Sequence, residues 1–323
     1  MIITRTPFRV SFVGGGTDIG DFYRQHGYGA VISAAIKKYM YIVIHPYFHD
    51  KMRIKYSKTE DVETSSEIEH PIVRECLRKV GLYKGLEIAS FADISAGTGL
   101  GSSSAFTVGL LHALYAYKGE SVSTERLARE ACEIEIDILK EPIGKQDQYA
   151  VAFGNINSIR FNKDESVECV PLRISKQNCQ ALEQYLALYY VGGERNTRDV
   201  LTEQKENILS RVDTVKNLVC MLPLVDEMKK VLLSGSLDMA GGLLHKGWLI
   251  KKELATGITN TTIDAYYDKA IHHGALGGKL LGAGGTGFLL VYHKDHKRFK
   301  SEYGCRTIPF AIDTEGTKVI FSE

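Results

Sequence analysis

The segment Asp93-Ile94-Ser95-Ala96-Gly97-Thr98-Gly99-Leu100-Gly101-Ser102-Ser103-Ser104-Ala105 constrains this chain more than any other. Glycines at alternate positions let the backbone turn tightly and approach a ligand with no Cβ in the way. The serines that follow open an Ala- and Leu-rich stretch, Ser102 to Tyr117, that reads as a helix with a serine cap. Unpaired N–H groups and the positive end of the helix dipole then face whatever the loop encloses, which suits an anion. A serine hydroxyl there can also reach a Mg2+ ion. The segment lacks the Gly-Lys-Ser/Thr of a P-loop and the GxGxxG spacing of a dinucleotide site. It reads as a phosphate cradle of another kind, weighed against a plain glycine turn capped by serine.

Two further segments are rich in glycine. Lys279-Leu280-Leu281-Gly282-Ala283-Gly284-Gly285-Thr286-Gly287 precedes a terminal strand and alone reads equally well as a turn. Arg5-Thr6-Pro7-Phe8-Arg9-Val10-Ser11-Phe12-Val13-Gly14-Gly15-Gly16-Thr17-Asp18 places Arg9 within an alternating apolar strand, where an unpaired charge is costly. Asp18 stands where it can cap a helix beginning near Ile19.

Strands are expected at 8–13, 39–46, 52–56, 86–92, 158–161, 186–191, 287–292 and 319–321. Helices are expected at 102–117, 124–141, 197–222, 224–234, 237–254 and 262–273. The mixture lacks strict βαβ alternation, so the fold class is α+β, and the length suits two domains. Forty basic residues against thirty-nine acidic ones argue against a nucleic-acid or membrane-surface binder. No apolar run approaches the ~20 residues of a membrane helix. The N-terminus lacks a signal-peptide pattern, and six scattered cysteines lack metal-ligand spacing, so a cytoplasmic location with reduced thiols is expected.

In this order and at these separations, the three glycine-rich segments resemble the motifs of the GHMP kinases. Pro7–Asp18 matches the first motif, Gly97–Ala105 the phosphate loop and Gly282–Gly287 the third. Phe8-Arg9 with Gly14–Asp18, and Pro142-Ile143-Gly144-Lys145-Gln146-Asp147-Gln148-Tyr149, look like the heptose 7-phosphate kinase branch. The resemblance implies an N-terminal domain similar to ribosomal protein S5 domain 2, taken as residues 1–175, and a ferredoxin-like C-terminal domain, 176–323. It also implies transfer of the ATP γ-phosphate to a sugar hydroxyl, with Mg2+, and a small phosphosugar as partner; a homodimer stays open.

By the same resemblance, Gly97, Thr98, Gly99, Leu100, Gly101, Ser102, Ser103 and Ser104 wrap the nucleotide phosphates, and Ser103 is a Mg2+ ligand. The second Mg2+ ligand belongs on the helix at 124–141. At ~100° per residue, Glu135 falls beside the Leu127/Ala131/Ile134/Ile138 stripe and Glu133 far from it, so Glu135 is selected. Asp147 is the general base or electrostatic positioner, and Arg9 stabilises the transferring phosphoryl group. Gly16, Thr17, Asp18, Gly284 and Gly285 are expected on the substrate, with Lys145, Arg195, Thr197 and Arg198 around its phosphate. Lys251 and Lys252 read as an ordinary charged helix face. Gly14-Gly15-Gly16 stands where galactokinase-like members carry acidic and histidine side chains, implying a roomier site. Another sugar kinase, fucokinase-like or acting on N-acetylhexosamine, and a catalytically silent sugar sensor remain the competing readings.

Overall fold

The computed structural model describes residues 1–192 and 197–323. Two sheets organise it. The larger follows the order β12-β1-β2-β5-β3-β4, with β3 at Met52–Lys55 and β4 at Thr59–Val62, while β6 and then β7 (Val167–Pro171) continue from β2. Its central members are β1 (Ile2–Val13) and β2 (Tyr28–Pro46). Residues 28–34 of β2 pair with β6 (Ile156–Asn162), and residues 40–46 pair with β5 (Leu86–Ala92). One long strand thus serves two neighbours along one edge. The β1/β2 register shifts at Pro7/Phe8, where proline has no N–H to give to the ladder. The shift lies just before Arg9.

The sheet's chief helical cover is α3 (Ser102–Tyr117), buried at nearly every position from Ser104 to Tyr115. Val108, Leu110, Leu111 and Leu114 are fully buried, each contributing about 2 kcal/mol. Gly109 permits the close seat: a Cβ there would come 2.7 Å from the Thr6 hydroxyl, and the Thr4 hydroxyl donates to the Gly109 carbonyl at 2.9 Å.

The helix expected at 124–141 is α-helical only over α4 (Thr124–Cys132) and widens to a π-helical turn at Glu133–Ile138. The wider turn resets the helical phase. Leu127, Ala131 and Ile134 are buried as the stripe requires, while Ile138 is 36% exposed. After it, α5 (Gln146–Phe153) leads into β6.

The second sheet has order β11-β8-β10-β9 and is antiparallel throughout. It combines β8 (Leu186–Gly192), β9 (Gly277–Leu280), β10 (Gly287–Tyr292) and β11 (Thr307–Pro309). Against it packs α9 (Leu237–Lys252), on which lies α8 (Val212–Ser234), itself reaching β1 and β2, with α7 (Thr197–Ser210) beside α8. The helix break lies at Arg211, in extended backbone, and α8 runs straight through Pro223. A proline there removes one N–H and crowds the carbonyl of Val219, which is 44% exposed, so water can serve that carbonyl. The last strand, β12 (Lys318–Ser322), returns to the first sheet and pairs antiparallel with β1. Among the described residues no helix is long and apolar enough to cross a membrane.

Candidate active site

A cleft of about 650 Å³ opens where the two sheets and their loops meet. One wall is the Ala96–Ser103 loop. Gly97, Gly99 and Gly101 take φ of 79°, 81° and 74°, the left-handed region that side chains avoid. Gly101 is also the N-cap of α3, without a side-chain cap, which leaves the first N–H groups of a 16-residue helix for a ligand. The third glycine segment packs backbone to backbone against this loop. A Cβ on Gly99 would lie 2.5 Å from the Leu281 carbonyl oxygen, and one on Gly282 would lie 2.4 Å from the Gly99 Cα. That segment works first as a brace.

At the centre, Arg9 and Asp147 form a bidentate pair: Nε to Oδ1 and Nη2 to Oδ2, both at 2.6 Å. Arg9 Nη1 donates to the Gly99 carbonyl at 2.7 Å, tying strand, loop and α5 together. The pairing answers the sequence problem of a charge in an apolar strand, since a bidentate carboxylate compensates the buried guanidinium.

Beside this pair lies Glu135, with no exposed surface. Its Oε1 accepts from the Ser103 hydroxyl at 2.5 Å and its Oε2 from the Gln148 amide at 2.7 Å. Burial pushes its carboxyl up to about 7, with the hydroxyls and amide pulling back. Glu133 instead points outward and pairs with Lys79 at 2.7 Å. A buried carboxylate touching a hydroxyl at a phosphate loop is the oxygen donor set that suits Mg2+, which takes one or two carboxylates and completes its shell with phosphates and water. Among the described residues no group of three or more His, Cys, Asp and Glu converges on a metal position.

On the opposite side, Asp18 accepts from the Gly16 N–H at 2.9 Å, and from the Gln146 side chain and backbone at 3.0 and 3.2 Å. Burial, with the Asp147 charge nearby, raises its carboxyl above the ordinary value. Gly144 is required here, since a Cβ would fall 2.0 Å from Asp18 Oδ2. Towards the other end, Tyr56, His70 and Phe106 line the cleft, with the His70 ring stacked 5.1 Å from Phe106 and edge-on to Tyr56.

The cleft therefore gathers Arg9, Gly16, Asp18, Gly97, Gly99, Gly101, Ser102, Ser103 and Asp147 along its walls, with Glu135 directly behind Ser103. Thr98, Leu100 and Ser104 are buried in the loop's underside. Other expected residues lie elsewhere. Thr17 is fully buried outside the cleft lining, its hydroxyl spent on the Gly14 and Ala30 carbonyls at 2.7 and 2.9 Å, so it shapes the turn. Lys145 turns away to Glu165 at 2.5 Å, over the Tyr23 ring. Gly284 and Gly285 brace Ile258 outside the cleft lining, leaving Gly282 and Ala283 in it. Arg198 is 59% exposed and lies 3.6 Å from Glu141. Arg195 and the Thr197 side chain lie outside the described residues.

Sequence reasoning missed Lys251 and Lys279, which are buried and line the cleft. Lys251 is no solvated face residue. It continues the buried α9 series Leu237, Ala240, Leu244, Trp248, whose 3–4 spacing was the available signal.

Residues 67–155 match the model of the GHMP kinases N terminal domain and 228–307 that of the GHMP kinases C terminal domain, together just over half of the chain. A D-glycero-alpha-D-manno-heptose 7-phosphate kinase of Campylobacter jejuni is 27% identical over 92% of this chain and 91% of its own. A galactokinase of Pyrococcus furiosus is 25% identical over 90% and 89%. The crystal structure of a D-glycero-D-manno-heptose 1-phosphate kinase from Bacteroides thetaiotaomicron superposes with a TM-score of 0.80 at 23% identity, covering all of both chains. The chain belongs to the GHMP kinase family, phosphotransferases that move a phosphoryl group from ATP to an alcohol.

Proposed function

We propose that the enzyme phosphorylates the anomeric hydroxyl of D-glycero-D-manno-heptose 7-phosphate, giving the 1,7-bisphosphate, with Mg2+ as the metal. The observation that carries the chemistry is the bidentate Arg9–Asp147 pair, set against the end of a glycine loop that opens a helix. The substrate rests on the full-length similarity to the Campylobacter jejuni heptose 7-phosphate kinase.

In this reading the ATP phosphates lie along Gly97–Ser103 and the nucleobase at the Tyr56, His70 and Phe106 end. The acceptor lies on the Gly16 and Asp18 side. The anomeric oxygen attacks the γ-phosphorus, the bond to the β–γ bridging oxygen breaks, and ADP leaves. Asp147 takes the hydroxyl proton or holds the oxygen in line, and Arg9 both fixes Asp147 and offsets charge on the transferring group. Ser103 and Glu135 would hold Mg2+, which supplies charge neutralisation at the phosphates. Asp18, through Gln146 and Gly16, orients the sugar side. A division at 175/176, with strand β12 lent back to the first sheet, and a cytoplasmic setting complete the proposal.

ADP release should be measured with ATP and Mg2+ against D-glycero-D-manno-heptose 7-phosphate, mannose 6-phosphate, sedoheptulose 7-phosphate, fucose, galactose and N-acetylgalactosamine. Turnover of the manno-heptose phosphate is expected. Turnover of only an unphosphorylated sugar would keep the kinase and sink the phosphosugar.

A further inference from the structure

Two buried amines in the cleft wall have no part in that scheme. Lys251 comes from α9 and Lys279 from β9, and they are only 8% and 4% exposed. A buried ammonium is costly unless something compensates it. Among the described residues neither lysine has a carboxylate within ion-pair distance. Lys251 donates to the carbonyls of Leu280 at 3.1 Å and Gly282 at 2.5 Å, and Lys279 donates to that of Phe12 at 3.2 Å. An ammonium has three donors, so among the described residues Lys251 keeps one and Lys279 keeps two. Burial first, and then the Arg9 charge, presses Lys279 down to about 7, while burial first, then the charges of Lys279 and Arg9, holds Lys251 well below the ordinary ammonium range. The Ser11 hydroxyl, on the β1 residue next to Phe12, lines the same cleft, is 7% exposed and has no hydrogen-bond partner.

We propose that Lys251, Lys279 and Ser11 form the seat of the phosphate that the acceptor itself carries. The inference rests on the phosphosugar reading above and assigns the residues that would read that phosphate. Position favours the acceptor over the donor. Lys279 reaches β1 and feels the Asp18 charge, which places it on the side of Gly15, Gly16 and Asp18. The donor's phosphates have the glycine loop, which Lys251 approaches through Gly282 while Lys279 stays on the β1 side. Arg9 is committed to Asp147 and Gly99. Lys145, which sequence reasoning had put in this role, is held by Glu165 outside the cleft lining. A phosphate dianion brought between the two amines would supply the missing counter-charge, accept the spare N–H bonds and take the idle Ser11 hydroxyl.

The test compares kcat/KM for D-glycero-D-manno-heptose 7-phosphate with that for the unphosphorylated heptose, in wild type, Lys251→Met, Lys279→Met and Lys279→Gln. Glutamine keeps a donor for the Phe12 carbonyl while removing the charge, which guards against a variant that simply misfolds. Binding of a fluorescent ATP analogue checks each variant's donor site. The expected result is a drop of about 50-fold in the phosphosugar preference of each variant, carried by KM for the phosphosugar, with ATP-analogue affinity held. A preference retained in all three variants overturns the assignment while leaving the substrate reading intact. A loss of ATP-analogue affinity in the folded Lys279→Gln variant also overturns it, because the lysines would then serve the donor. A wild-type enzyme without any preference for the phosphorylated sugar overturns the substrate reading first, and this one with it.

Discussion

On the proposed assignment of a donor and an acceptor side, the two walls of the cleft are built differently. The phosphate part of the donor wall is one continuous piece of chain, Ala96 to Ser103, which offers backbone N–H and hydroxyl donors at the start of α3. The acceptor wall is assembled from β1, the Gly14–Asp18 turn, the Gly144–Asp147 segment, α9 and β9, and its groups are side chains. A continuous wall depends on local backbone conformation. An assembled wall depends on packing between segments up to 267 positions apart, as Lys279 and Phe12 show. Damage to the first should be strongest where the backbone is tightest, and damage to the second should depend on charge and burial.

The largest effect is expected where the walls meet. Asp147→Asn should lower kcat by about 1000-fold, with ATP-analogue affinity changed little. Steady-state kinetics check this, and a kcat within tenfold of wild type would remove Asp147 from proton transfer and leave it a positioning role.

Next come two glycines of the donor wall. Gly99 and Gly97 share a left-handed φ, but a Cβ on Gly99 meets the Leu281 carbonyl at 2.5 Å, while one on Gly97 meets nothing within 4 Å. Gly97→Ala should therefore cost about 1 kcal/mol of stability. Gly99→Ala should cost about 3 kcal/mol, adding the clash to the strain. Urea denaturation separates them, and equal costs would show that the brace between the two glycine loops carries little.

Lys279 then sharpens the acceptor side through pH. Its folded value of about 7 lies below the ordinary 10.5, so between those limits the unfolded chain holds more protons. Stability contributed by this site is least below pH 7 and rises as pH climbs towards 10.5. The gain should be on the order of 2 kcal/mol, the full shift being reduced by relaxation and water entry. Denaturation of wild type minus Lys279→Met, from pH 6 to pH 10 ( sets about this window), should show that rise. A flat difference would mean that Lys279 stays charged throughout.

The smallest effect is reserved for the residue that sequence favoured. The Lys145 and Glu165 side chains are 16% and 44% exposed, so Lys145→Ala should cost about 1 kcal/mol or less. It should move KM for the phosphosugar by no more than about twofold. A tenfold rise would return Lys145 to the substrate.

Legibility followed the same line. The phosphate loop and the start of α3 could be read directly, because alternate glycines and a serine run state a backbone requirement within a dozen residues. Arg9 stood out because a charge in an apolar strand demands a partner, although the partner lies 138 positions away. Helical phase distinguished Glu135 from Glu133, but the π turn that holds both was invisible, and Ile138 left the stripe. Pro223 was read as interrupting a helix that continues, since an exposed helix side tolerates the lost bond.

By itself, the sequence determined the α+β class, the glycine loop at a helix start and the family, because φ preference, capping and hydrophobic period act over a few residues. Only the tertiary structure decided which lysines face the cleft. Lys145 sits within the Gly144–Asp147 motif and was taken by Glu165, whereas Lys251 and Lys279 came inward with the packing of α9 and β9. Burial and counter-charge are set by every segment that closes around a side chain, and no stretch of sequence contains them all.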